Sequence, residues 1–204
     1  MTKSYHHGNL REALVKAAIP VLRNKGIVGL SLRELATSLG VSHGAPYRHF
    51  RNKAALLEAI ATTGFEALRD ICRQAATDFP QDPRRQLYEA GIGYVFYVSQ
   101  NTEIADLMFR PTLPNREHCK ALQHAANEAI SSLTAIIEGG KRAGVFIQRD
   151  TDDLVLTSLS AVHGLSAFIT SGLFVGTDAT QELITALGER VYATLLQGLE
   201  VTAP

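Results

Sequence analysis

The stretch from Ser31 to Lys53, SLRELATSLGVSHGAPYRHFRNK, constrains the fold of this chain more than any other. Ser31 followed by Glu34 fits a capping box, which predicts a short helix from Leu32 with Leu32, Leu35, Ala36 and Leu39 on its apolar side. Gly40 is placed to end that helix, and Val41 supplies an apolar plug in the turn. Ser42 can cap a second short helix from about His43 to Phe50. Two helices of about two turns joined by a glycine-containing turn form a helix-turn-helix, whose second helix lies in the DNA major groove. His43, Tyr47, Arg48, His49, Arg51 and Lys53 surround the second helix with donors for phosphates and base edges, and no acid stands among them. Pro46 removes one backbone donor, but so near the helix start that the expected loss is one hydrogen bond at most.

The segment LRELATSLGVSHGAPYRHFRNKAALLEAI resembles the DNA-binding half of the TetR/AcrR family of bacterial transcriptional repressors. Gly40, Val41, Ser42, Tyr47, Phe50, Lys53 and Leu56 stand at that family's pattern positions, and the likeness runs from Tyr5 to about Leu68. The resemblance implies that Tyr47 and Lys53 hold phosphates, while His43, Gly44, Ala45 and Arg48 face or approach base edges. Ser31, Arg33, Ser42 and His49 complete the expected DNA-binding set.

Net charge supports the same reading once it is divided along the chain. The total is zero, yet residues 1–57 hold nine Lys or Arg against Glu12 and Glu34, a net +7 that leaves −7 for the remainder. A basic head on an acidic body suits a nucleic-acid binder whose second half has another task. Singly, each of these charges is also what an ordinary solvated helix surface carries.

Around this motif the chain reads as helices throughout. Leu10, Ala13, Leu14, Ala17, Ala18, Val21 and Leu22 keep helical spacing, with Asn9 as cap, Pro20 off the stripe as a bend, and Gly26 as the stop. Tyr5, His6 and His7 before it are expected to form an arm near DNA phosphates. Asn52 to about Phe79 predicts one helix of about 40 Å, long enough to leave the head and enter the body. Further helices are expected over 83–100, 101–109, 115–143, 151–172 and 178–200, with Asp150 and Thr180 or Asp178 as caps. The fold class is therefore all-α: a three-helix helix-turn-helix domain over 1–57, joined by a long helix to a helical ligand-binding and dimerisation domain over 58–204. Cys72 and Cys119 show no metal or redox spacing, which suits a reducing cytoplasm. No uninterrupted apolar run reaches the length of a membrane helix, and no signal-peptide pattern opens the chain, so no membrane partner is expected.

The last two helices are too apolar for a single core. Apolar residues surround the helix beginning at Thr151, and a long stripe follows on the next; burial on both sides is expected. Leu156, Leu159, Leu165, Leu187, Val191 and Leu195 are the candidate dimer contacts, a buried helix pair in a monomer being the alternative. Pairing through the last two helices is also what the family resemblance implies, and a two-fold homodimer presents two heads to a palindromic operator.

A partly apolar small-molecule effector is the other expected partner. Tyr94, Tyr97, Met108, Phe109, His124, His163 and Phe168 are candidate pocket residues, each of which core packing would also explain. His163 lies amid Val162, Leu165 and Phe168, where burial demands a hydrogen bond or a ligand. Val162-His163-Gly164 resembles the Trp-His-Gly element of one C-terminal subfamily, with Val replacing Trp. His118 and His124 lie about 240° apart on a helix and cannot share a metal, so neither metal nor other cofactor is expected. No motif of hydrolase, metalloprotease or phosphate-loop type occurs, which leaves catalysis without a spacing signal. The expected function is a ligand-released repressor, with an activator, a constitutive DNA binder, a carrier or an enzyme as alternatives.

Overall fold

The computed structural model describes residues 10–109, 119–173 and 180–199, and the expectations for Tyr5 to His7, Asn9, residues 115–118 and Asp178 lie outside them. These residues form eight α-helices and one 3-10 helix, with no strand among them. The helices are α1 (Leu10–Lys25), α2 (Leu32–Ser38), α3 (Lys53–Asp78), α4 (Pro83–Gln100), α5 (Thr102–Phe109), α6 (Lys120–Arg142), α7 (Thr151–Thr170) and α8 (Gln181–Leu199); the 3-10 helix is Pro46–Arg48. Two compact units result, one of Met1–Gly64 with Glu103–Leu122 and one of Phe65–Thr102 with Gln123–Pro204. The long helix α3 is common to both.

In the first unit α1 buries Leu14, Ala18 and Leu22 of the stripe seen in the sequence, together with Val15, which lies off it, and leaves Pro20 exposed. Its end is closed by Gly26, whose N–H donates to the Leu22 carbonyl at 2.9 Å. The turn after α2 is a Schellman arrangement: Val41 N–H donates to Ala36 O and Gly40 N–H to Thr37 O, at 3.0 and 3.1 Å. Gly40 has φ +67°, which a side chain would oppose, so the tight corner between α2 and the next element depends on glycine here. Ser31 occupies the cap position of α2 in extended backbone, but its side chain makes no capping hydrogen bond. The capping-box expectation thus has the right position without the expected contact.

The expected second helix is reduced to a 3-10 turn. Pro46 has no N–H to offer the Ser42 carbonyl, which accepts from Ala45 at 2.9 Å instead. Arg48 N–H to Ala45 O and His49 N–H to Pro46 O continue the tighter pattern before Phe50 turns inward. Only Phe50 N–H to Pro46 O, at 2.9 Å, spans an α-helical step. With Gly44 before the proline and α3 starting at Lys53, neither side allows a longer helix.

In the second unit α4, α7 and α8 pack pairwise. Asp82 caps α4 by accepting from Arg85 N–H at 3.0 Å, and Asp150 caps α7 by accepting from Asp152 and Asp153 N–H at 2.9 and 3.3 Å. Thr180 fills the corresponding place for α8, its hydroxyl accepting from Leu183 N–H. A core of Leu87, Ala90, Leu133, Ile136, Ile137, Phe146, Leu154, Val155 and Leu199 joins the elements, and Gly140 lies so close to the Phe146 ring that a Cβ would collide with it. A smaller cluster holds Val95, Ile169 and Ile184.

By length and composition α7 could cross a membrane, although Thr, Ser and His interrupt its apolar run. Within the single chain it is not buried on both sides: 28% of its most apolar stretch is buried, with Leu156 66% and Phe168 45% exposed. One face packs on α4 and α8, which is as much as a single chain's helices cover.

Candidate nucleic-acid interface

The first unit assembles a cationic surface around the 3-10 turn. Pro46 and Phe50 are buried four residues apart and pin the segment from below, while Tyr47, Arg48 and His49 between them are exposed. Arg11 of α1 stacks its guanidinium over the Phe50 ring at 5.3 Å, adding a contact from the supporting helix. The 3-10 turn also packs against both α1 and α2. Exposed side chains thus sit on a short but braced segment.

Arg33, Ser42, His43 and Gly44 are exposed as well, and Ser31, Ala45 and Lys53 are half-buried. Nothing lies near a Cβ built on Gly44, so that position is an open approach for another backbone or a base. Lys53 Nζ donates to the Val28 carbonyl at 3.3 Å, which draws the loop between α1 and α2 to the start of α3. Asn52 caps α3 by accepting from Ala55 N–H at 3.0 Å, fixing where Lys53 leaves the backbone. His43 Nε2 lies 3.2 Å from Thr37 Oγ1 on α2. From Leu35 to Leu57 the sequence carries no Asp or Glu, so the surface opposes no phosphate.

Sequence reasoning missed Thr37, the Val28 carbonyl and the Arg11 contact. Thr37 lies one helical turn after Arg33 and just before the glycine corner, where only the three-dimensional turn brings it to His43. Val28 is 93% exposed beside Lys53, and its role is carried by a backbone atom that sequence does not mark.

Tyr94 and His163 meet, the Tyr94 hydroxyl lying 2.9 Å from His163 Nδ1, and burial pushes the Tyr94 hydroxyl pKa up. His163 itself is exposed, which corrects the expectation that it is enclosed, although the expected hydrogen bond is present. Tyr97 is half-buried and raised by desolvation, while His124 and Phe168 are exposed. Met108 is fully buried and Phe109 exposed on α5, in the first unit rather than the second. Among the dimer candidates Leu156 is exposed; Leu159 and Leu195 pack on the main core of the second unit, and Leu165 and Leu187 on its smaller cluster. Val191 joins Leu165 and Leu195 in the groove between α4, α7 and α8.

A different cavity opens within the second unit, of about 340 Å³, between the later part of α3, the start of α4 and the middle of α6. Cys72, Ala76, Ala135 and Ile136 give it apolar walls; Gln86, Ser131 and Ser132 add polar ones. Arg73 and Glu128 also line it and pair at 2.7 Å. Gln86 is held by donating to Phe79 O at 2.7 Å, and burial pushes the Cys72 thiol up to about 11. Among the described residues no group of three metal-ligating side chains occurs.

Comparison with known proteins bears on both units. Residues 14–60 match the family model described as bacterial regulatory proteins, tetR family. The class C tetracycline repressor of Escherichia coli is 49% identical over 51 residues, 25% of this chain and 23% of that protein; the match thus spans about a quarter of the curated relative's length. A bacterial regulatory protein in the tetR family from Rhodococcus RHA1 is similar over 96% of this chain and all of its own, with 25% identity and a TM-score of 0.71. A Rhodococcus sp. RHA1 structure of unknown function is similar over 98% of this chain and 100% of its own, with 28% identity and a TM-score of 0.80.

Proposed function

Because this chain belongs, by its N-terminal domain, to the TetR family of bacterial regulatory proteins, we propose that it is a cytoplasmic transcriptional repressor that binds a palindromic operator as a homodimer and is released by a small-molecule effector. The surface of His43, Tyr47, Arg48 and His49 around a braced turn, in a stretch without acids from Leu35 to Leu57, carries the DNA-binding part of this reading. Phosphate contacts from Tyr47 and Lys53 set register, and His43 and Arg48 approach base edges. The exposed apolar face of α7, with Leu156 and Phe168, and Leu183 of α8 support pairing of two copies.

The cavity beside Cys72 supports an effector of mixed character, apolar where it meets Ala76, Ala135 and Ile136 and polar toward Arg73, Glu128 and Ser131. Release follows from linkage: an effector that binds better to a conformation unsuited to the operator weakens DNA binding by the same differential free energy. A preference of about 1.4 kcal/mol lowers operator affinity only tenfold, so effective release needs several times that.

The test is binding of the purified protein to its own upstream intergenic DNA and to scrambled DNA at two salt concentrations. Tighter, salt-sensitive binding to the upstream fragment supports the reading and provides the assay for an effector. Equal weak binding to that fragment and to genomic fragments generally would defeat it.

A further inference from the structure

We propose that Thr37 is a positioning residue that fixes the tautomer of His43 and thereby the class of base His43 reads; the inference rests on the DNA-binding function proposed above. A threonine hydroxyl has one hydrogen. Thr37 donates it to the Arg33 carbonyl one helical turn back, at 3.1 Å. The 3.2 Å contact between Thr37 Oγ1 and His43 Nε2 must then be made by the imidazole, Nε2–H donating to a lone pair of the hydroxyl. Neutral imidazole carries one N–H, so Nδ1 is left as an acceptor on an exposed side chain of the DNA-facing turn.

An acceptor in the major groove finds its complement in the amino groups of adenine and cytosine and meets repulsion from guanine N7 and O6 and thymine O4. Thr37 thus commits His43 to adenine or cytosine without touching DNA. Lacking the hydroxyl, the ring is free to carry its proton on either nitrogen and to present a donor or an acceptor. Serine in place of Thr37 retains the hydroxyl and its back-bond, so Thr37→Ser preserves the commitment and Thr37→Val removes it.

The test is selection of the full-length protein on a random-sequence duplex library near pH 8. His43→Ala identifies the operator position that His43 reads. At that position the wild type and Thr37→Ser should favour adenine or cytosine on the order of tenfold, Thr37→Val should lose the preference, and the other positions should stay unchanged. Retention of the preference by Thr37→Val, a preference that sets A·T and T·A together against C·G and G·C at that position, or no position altered by His43→Ala would each overturn the inference. Imidazole ¹⁵N–¹H NMR of the free protein reads the tautomer directly: a dominant Nε2–H form is expected, and a dominant Nδ1–H form overturns the proposal regardless of DNA. A wild-type protein that enriches no sequence overturns the DNA-binding function itself, whereas the NMR result still decides the tautomer.

Discussion

Lys53 is tied to the Val28 carbonyl in the structure, a weak exposed contact that a phosphate oxygen replaces at little cost. Lys53→Ala should therefore weaken binding to all DNA sequences alike and flatten the dependence of affinity on salt by about one unit per protomer, read from titrations at several salt concentrations. Tyr47→Phe removes a neutral donor and should weaken binding while leaving that slope unchanged. A slope untouched by Lys53→Ala would remove Lys53 from the phosphate contacts. Cys72 presents the opposite situation, a group whose burial opposes charge. Its folded pKa of about 11 lies above the ordinary 9.0, so the neutral thiol is favoured in the fold. That contribution is complete below pH 9.0 and is lost as pH rises through about 11, and Cys72→Ala should lose less stability over that window. Burial disfavours the thiolate in the folded state, so alkylation near pH 8 should be slower than for an exposed cysteine. Fast labelling of the folded protein would contradict the burial.

Helix ends show which local rules operate unaided and which give way. Asp150 accepts two N–H groups at the start of α7, as its position before an apolar run suggests, whereas Ser31 holds its place at α2 without a side-chain bond. Asp150→Ala should lower stability by about 1 kcal/mol and Asp150→Asn by much less, measured by thermal or denaturant unfolding. Gly140 has a tertiary reason that no helix rule reveals, the Phe146 ring folded back against α6. Gly140→Ala should cost about 1–3 kcal/mol because that ring is fully buried and cannot yield, although alanine is the better helix former. The shortened recognition element belongs at this scale too. Its apolar anchors and turn residues were legible, but the competition between Pro46, Gly44 and the nearby start of α3 decided how many hydrogen bonds it keeps.

For the molecule as a whole, α7 poses the main question, since a helix of its apolar character leaves Leu156 and Phe168 exposed in one chain. Leu156→Asp and Phe168→Asp place charge at sites already exposed, where the folded monomer loses little. The expected result is a monomer in sedimentation, retained helix content and operator affinity reduced by a factor of about 100 or more, because two linked heads bind far better than one. A variant that remains dimeric would move the interface away from these residues. The proposed dimer would also reconcile the charge division, placing two basic heads toward half-sites about 34–36 Å apart and the acidic excess in the bodies.

The sequence by itself determined the helical periods, most element boundaries, the glycine corners, the acid-free composition from Leu35 to Leu57 and the family resemblance. Those follow from interactions between residues a few positions apart, whose geometry the backbone fixes in advance. Only the tertiary structure decided that Thr37 holds His43, that Tyr94 meets His163, that α5 groups with the N-terminal residues, and that a cavity opens beside Cys72. Each depends on which helix faces meet, and an apolar stripe states that a face is buried without naming what buries it.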